Sequence, residues 1–129
     1  MTALTNAVLP VLAADGVPVG VGKRPAGDAT KPFIVIWPDA AVRSAVTMKA
    51  NDGAAETWVC HCLGLTPEAV DIAVGKLTTA VYGLYRTVVD GRRVHYPEQL
   101  AAMPLSRDDD VNPPLYDLTV EWRLSTTPA

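Results

Sequence analysis

Residues 106–124 read SRDDDVNPPLYDLTVEWRL, a charged, proline-rich turn that runs directly into an alternating segment. Successive side chains of an extended chain point to opposite faces. Tyr116, Leu118, Val120, Trp122 and Leu124 therefore share one face, and Asp117, Thr119, Glu121 and Arg123 share the other. This is the pattern of a half-buried antiparallel strand, and it makes a sheet the organising element of the fold. Ser125–Ala129, beyond the alternation, read as a frayed tail.

Working back from this strand, Pro97–Pro114 reads as a loop. Arg86–Val89 and Arg92–Tyr96 flank Asp90-Gly91, a two-residue hairpin signal. Thr66-Pro67-Glu68 combines a hydroxyl cap, a proline at the first helical position and an acid facing the positive helix end. It predicts a helix to about Tyr85, with a sheet-facing stripe of Ala69, Ile72, Ala73, Leu77, Ala80, Val81 and Leu84. Glu56–Leu63 suits a strand, joined as a hairpin to Arg43–Lys49 through Asn51-Asp52-Gly53.

Phe33–Trp37 is a β-branched and aromatic run between Pro32 and Pro38, as expected of a strand covered on both faces at the middle of the sheet. Val17–Val21, interrupted by Pro18 and Gly20, suits a short edge strand. Thr2–Ala14 carries Leu4, Val8, Val11 and Leu12 at helical spacing and stops at Asp15-Gly16. Pro10 inside it predicts a kink or a later start, because proline lacks the backbone donor. The order of elements implies an α+β fold, a mainly antiparallel sheet with helices on one face, as a single domain over residues 1–129.

A chain of 129 residues with 49% hydrophobic content suffices for one core. Eleven basic residues against 14 acidic ones, a net charge of -3, argue against electrostatic capture of nucleic acid. The longest apolar runs fall far short of the roughly 20 residues of a bilayer span. No membrane association and no export are expected, and Cys60 and Cys62 suit a reducing compartment.

Motifs for chemistry are sparse. Cys60-His61-Cys62 invites a zinc reading, but on a strand His61 faces away from both cysteines, and no second Cys pair completes four ligands. The thiols read better as small buried apolar groups. A nucleophile site drawn from Cys60, His95 and Asp117 has no motif to orient it. Asp108-Asp109-Asp110 offers carboxylates to a divalent cation but lacks the alternating spacing that wraps calcium. Such a run is more often a solvated turn that relieves its repulsion on arginine, for which Arg107, Arg92 and Arg93 are at hand. No phosphate cradle, nucleophile elbow or zincin motif occurs, so no enzymatic activity, cofactor or metal is expected. Trp37, Trp58 and Trp122 are expected as core anchors, one of them serving an interface.

Taken together, the N-terminal helix, Gly16-Val17-Pro18-Val19, PFIVIWPD over Pro32–Asp39, the helix capped at Thr66 and RDDDVNPPLYDLTVEWRL resemble the tail terminator proteins of long-tailed bacteriophages, over about Leu4–Leu124. The resemblance implies a small α+β virion protein that closes into a ring, expected to be hexameric, on the finished tail tube at the tail–head junction. The ring stops tube growth and offers the head a docking surface. The implied partners are further copies of the chain, the tail tube protein and a head-completion protein, with DNA passing through the lumen unbound. Arg107, Asp108, Asp109 and Asp110 are then the expected subunit or tube contacts, with Arg43, Lys23, Arg24 and the rest of the Lys23–Lys31 loop as further candidates. A head-closure or adaptor protein of the same neck is the nearest alternative. A small metal-dependent enzyme and a monomeric binding module are the others.

Overall fold

The structure, a computed structural model, describes residues 2–25, 32–39, 42–44 and 53–129. In chain order its elements are α1 (Ala3–Ala14), β1 (Val19–Val21), β2 (Phe33–Pro38), β3 (Val42–Ser44), β4 (Gly53–Gly64), α2 (Pro67–Gly83), β5 (Val88–Val89), β6 (Arg92–Val94), β7 (Glu98–Ala102), β8 (Ser106–Asp108) and β9 (Leu115–Pro128). The class is α+β. Every strand pair is antiparallel except β1–β2.

The alternation read at Leu115–Leu124 pairs β9 with β4 from Gly64↔Tyr116 to Ala54↔Thr126. On one face Trp58 lies opposite Trp122, flanked by Cys60, Cys62, Val120 and Leu124, all in the main core. Ile34 and Ile36 of β2 extend that face. Both helices pack on it, α1 through Val8 and Leu12, α2 through Val70, Ala73, Leu77 and Val81. The opposite face carries a smaller cluster of Phe33, Val35 and Leu115, with Leu63, Leu65 and Val111 against it.

Local chemistry sets the helix ends. The Thr2 hydroxyl accepts from the Thr5 amide at 3.2 Å while the Thr5 hydroxyl accepts from the Thr2 amide at 3.0 Å, a capping box with threonine at both positions. Pro10 stays inside α1 without delaying its start. The carbonyl it leaves without a helical donor is that of Asn6, an exposed residue that water can serve. The Ala69 amide donates to the Thr66 hydroxyl at 3.1 Å, with Pro67 and Glu68 in the first turn as read from sequence. Gly64 ends β4 where a Cβ would come within 2.8 Å of the Ala69 Cβ, so the strand-to-helix corner tolerates no side chain.

Several expectations change. The α2 stripe runs through Val70 rather than Ala69 and Ile72, and Ile72 is 53% exposed. At 100° per residue it lies about 200° from Val70, on the far side of the helix. The middle of the sheet is β4–β9, and β2 lies one strand further out. Ser125–Ala129 is not frayed. β9 continues to Pro128 because β6 covers its end, with Arg92↔Pro128 and Val94↔Thr126 in register and the Ala129 amide donating to Gly91. Pro97–Pro114 is not all loop, since it contains β7 and β8. The Asp90-Gly91 hairpin forms as read, both residues at positive φ (51° and 73°). Val42–Ser44 pairs with the start of β4, while 45–52, the remainder of that expected hairpin, lies outside the described residues.

Among the described residues, Glu56 is the one buried acidic side chain. Its Oε1 accepts from Trp58 Nε1 at 2.7 Å and from the Thr2 hydroxyl at 2.5 Å, beside the positive end of α1. These bonds tie the N-terminal cap to the central strand. Glu56→Ala strands the indole N–H in a buried site and should cost about 1–3 kcal/mol in urea unfolding. Glu56→Gln, which keeps an acceptor oxygen, should recover at least half of that loss.

Candidate interaction surface

The segment from Arg92 to Asp108 forms one interrupted edge along β9. Its three strands pair in succession, Arg92↔Pro128, Glu98↔Arg123 and Ser106↔Asp117, with a register shift between Gln99 and Ala101. The Met103 amide continues the ladder to the Thr119 carbonyl at 2.8 Å. Every residue from Glu98 to Asp110 is exposed, so β9 alone holds this arm.

At its tip, the Arg107 Nε meets the Asp109 carboxylate at 2.8 Å, and the Asp110 amide donates to Asp108 Oδ1 at 3.0 Å. Arg107 also lies 5.8 Å over the Tyr116 ring. One guanidinium, paired with Asp109, thus stands against three exposed carboxylates, and the turn keeps an acidic balance. Of the predicted arginine partners, Arg107 serves the turn. Arg92 instead donates to the Thr126 hydroxyl at 2.8 Å, and Arg93 to the Arg86 carbonyl. The arm also exposes apolar groups, including Tyr96 (65%), Met103 (58%) and Leu105. Tyr96 belongs to an aromatic chain, its ring 5.3 Å from those of Tyr82 and Tyr85, and Tyr82 meets Trp122 edge-on.

The remaining candidate residues lie elsewhere. Lys23 and Arg24 are exposed beyond β1, and the Arg24 guanidinium stacks 4.9 Å over Phe33. Arg43 lies in β3, in register with Ala54, and residues 26–31 lie outside the described residues. The candidates therefore form two groups on opposite edges of the sheet. Trp58 and Trp122 are core anchors, whereas Trp37 is 50% exposed.

The trio Cys60, His95 and Asp117 is not assembled. Cys60 faces the core, His95 bonds Thr127 at 3.0 Å, and Asp117 lies 3.2 Å from His61 Nδ1. His61, on the face opposite both cysteines, also meets the Thr119 hydroxyl at 3.1 Å. Sequence reading missed this His61–Asp117–Thr119 group, whose signal is their common outward parity on neighbouring strands. Among the described residues no three His, Cys, Asp or Glu side chains gather as a metal-binding group. A hollow of about 210 Å³ is lined by Thr2, Glu56, Arg92 and Thr126 among others, and Glu56 and Arg92 are engaged there in hydrogen bonds to Thr2 and Thr126.

No family model matches this chain, and no curated protein matches its sequence. Among solved structures, a chain of the virion of a native gene transfer agent (GTA) particle is similar in fold. It aligns with a TM-score of 0.62 at 13% identity, over 96% of this chain and 89% of that one.

Burial raises both thiols, Cys62 to about 12, with Asp117 adding to the effect, and Cys60 further still, with Cys62 adding. Below the ordinary thiol value of about 8.5 both states hold these protons. Above it the unfolded chain loses them first, so native stability falls as pH rises, by up to about 2.7 kcal/mol per pH unit for two thiols. Urea unfolding between pH 8 and pH 11 should show this slope, reduced in Cys60→Ala/Cys62→Ala. A native chain at pH 8 should not react with a thiol reagent until it is unfolded.

Proposed function

We propose that this chain is a structural virion protein of a tailed bacteriophage or a related particle, and within that class a tail terminator. It forms a ring, expected to be hexameric, on the end of the tail tube, halts tube growth and presents a surface to the head-completion protein. The observation that carries the virion reading is the fold shared with a gene transfer agent virion chain across nearly its whole length. The tail-terminator reading adds the resemblance of Pro32–Asp39 and Arg107–Leu124.

The proposed role is not catalytic. It needs two surfaces held at fixed separation on a rigid sheet, and the two charged groups at opposite edges supply them. Contacts between unlike surfaces propagate head to tail and close into a ring when the rotation per subunit divides the circle. An acidic balance suits a lumen through which DNA passes without sticking.

Light scattering against concentration, with negative-stain imaging of large species, should show closed rings, in solution or seeded on tail tubes. Loss of the protein should give overlong, headless tubes. Leaky heads beside tails of normal length would instead assign the chain to head closure. Asp109→Lys/Asp110→Lys should leave the circular dichroism and thermal midpoint unchanged, since both side chains are exposed, yet abolish ring formation. Normal rings from that variant would count against the acidic turn as a subunit contact.

A further inference from the structure

Two edges of the sheet that are unpaired among the described residues, those of β1 and β8, complement each other in charge and strand direction. At the end of the sheet nearest the acidic turn, the strands lie in the order β1-β2-β4-β9-β8. The row Phe33↔Leu63↔Asp117↔Ser106 spans it, next to the row Val19↔Ile34↔Cys62↔Leu118. Val19 on one edge and Ser106 on the other are thus one row apart.

On the β1 edge, two adjoining hollows of about 450 and 500 Å³ share Leu9, Pro18 and Val19, and the second reaches Lys23 and Arg24. Ile34 donates to the Pro18 carbonyl and Gly22 to the Ile36 carbonyl, so the alternation of a parallel ladder aims the Val19 and Val21 amide groups away from β2. Among the described residues nothing pairs with that side.

On the β8 edge, Ser106 and Asp108 lie opposite Asp117 and Leu115, on the face that carries Phe33 and, stacked on it, Arg24. Leu105, exposed, immediately precedes Ser106 at the start of this edge, and Val19 packs on the helix side of the sheet at the other. Asp108 and the Arg24 guanidinium therefore share one end and one face of the sheet, at opposite edges, while Arg107, in register with Tyr116, turns with its partner Asp109 toward the helix side.

We propose that the β8 edge of one copy docks into the Leu9–Pro18–Val19 groove of a second copy, with Leu105 over the groove and the Asp108–Asp110 turn beside Lys23 and Arg24. The joint rests on the self-assembling role proposed above and names the surfaces that make it. Strand direction agrees with it. Within a subunit β8 is antiparallel to β9, β9 to β4 and β4 to β2, while β2 is parallel to β1, so β8 runs antiparallel to β1. A neighbour related by rotation about an axis running roughly along the strands keeps their direction, so its β8 edge arrives antiparallel to β1 and continues the sheet.

Leu9→Cys and Leu105→Cys place one thiol on each side of the joint, at residues outside the main core, while native Cys60 and Cys62 are buried and take no part. Oxidation of the full-length double variant should give a covalent ladder of multimers that collapses on reduction, whereas either single variant stays uncrosslinked. Adding Asp109→Lys/Asp110→Lys should abolish the ladder, and further adding Lys23→Asp/Arg24→Asp should restore it. Disulfide-linked dimers from Leu105→Cys alone would overturn the proposal in favour of a symmetric edge contact. Absence of a ladder would also overturn it. Light scattering on the same sample then separates the two ideas, since unlinked rings keep the ring-forming role and discard this joint, while a strict monomer at every concentration, alone and on tail tubes, discards both.

Discussion

The pairing of β4 with β9 is the constraint on which the rest of the molecule hangs. Eleven consecutive residue pairs, from Ala54↔Thr126 to Gly64↔Tyr116, hold the two longest strands in one register. Trp58 opposite Trp122 fixes that register, because a slip of one residue would turn one of the two indoles from the core to the outer face. Removing either ring would forfeit about 3–5 kcal/mol of packing. Five other strands take their position directly from an edge of this pair, and β1 and β5 are placed through β2 and β6. β2 and β3 line the free side of β4, and β6, β7 and β8 line the free side of β9. Both helices cover the face that the indoles define.

Much of this was legible in the residues, wherever a local rule and the tertiary environment agreed. The period-two pattern at Leu115–Leu124, the positive-φ pair Asp90-Gly91 and the capped start at Thr66-Pro67 each encode their structure within a few residues. Where structure is imposed from outside, the sequence is silent. β7 and β8 have no alternation because both their faces are exposed, and they are strands only because β9 offers a ladder. Ser125–Pro128 looks like a polar tail, yet β6 lies beside it. Ile72 joined the wrong stripe because Val70, Ala73 and Leu77 already complete a face.

The candidate surface was legible as residue types and not as an arrangement. Arg107 and its aspartates announce a charged turn, and an Arg107–Asp109 pair was among the options that the composition offered. That Lys23 and Arg24 stand at the far edge of the same end of the sheet depends on strand order, which no local pattern carries. The burial of Glu56 is similar in kind. Its alternation with Trp58 places both on the core face, and the approach of Thr2 across the fold adds a second donor to the Trp58 indole N–H at the buried carboxyl.

An exposed sheet edge invites indiscriminate pairing, and natural proteins guard such edges with charge. Here the guard also selects. Two β8 edges brought together would oppose three carboxylates with three more, relieved only by one arginine on each side. Two β1 edges would set Lys23 and Arg24 against their own kind. Both symmetric contacts are repulsive, and the unlike contact is the attractive one. In the proposed assembly, a charge pattern of this sort disfavours a two-fold dimer through either edge and favours head-to-tail growth, which terminates only by closing on itself. In the proposed joint the acidic turn acts by exclusion as much as by attraction, a role suited to its full exposure on an arm that contributes little to the core.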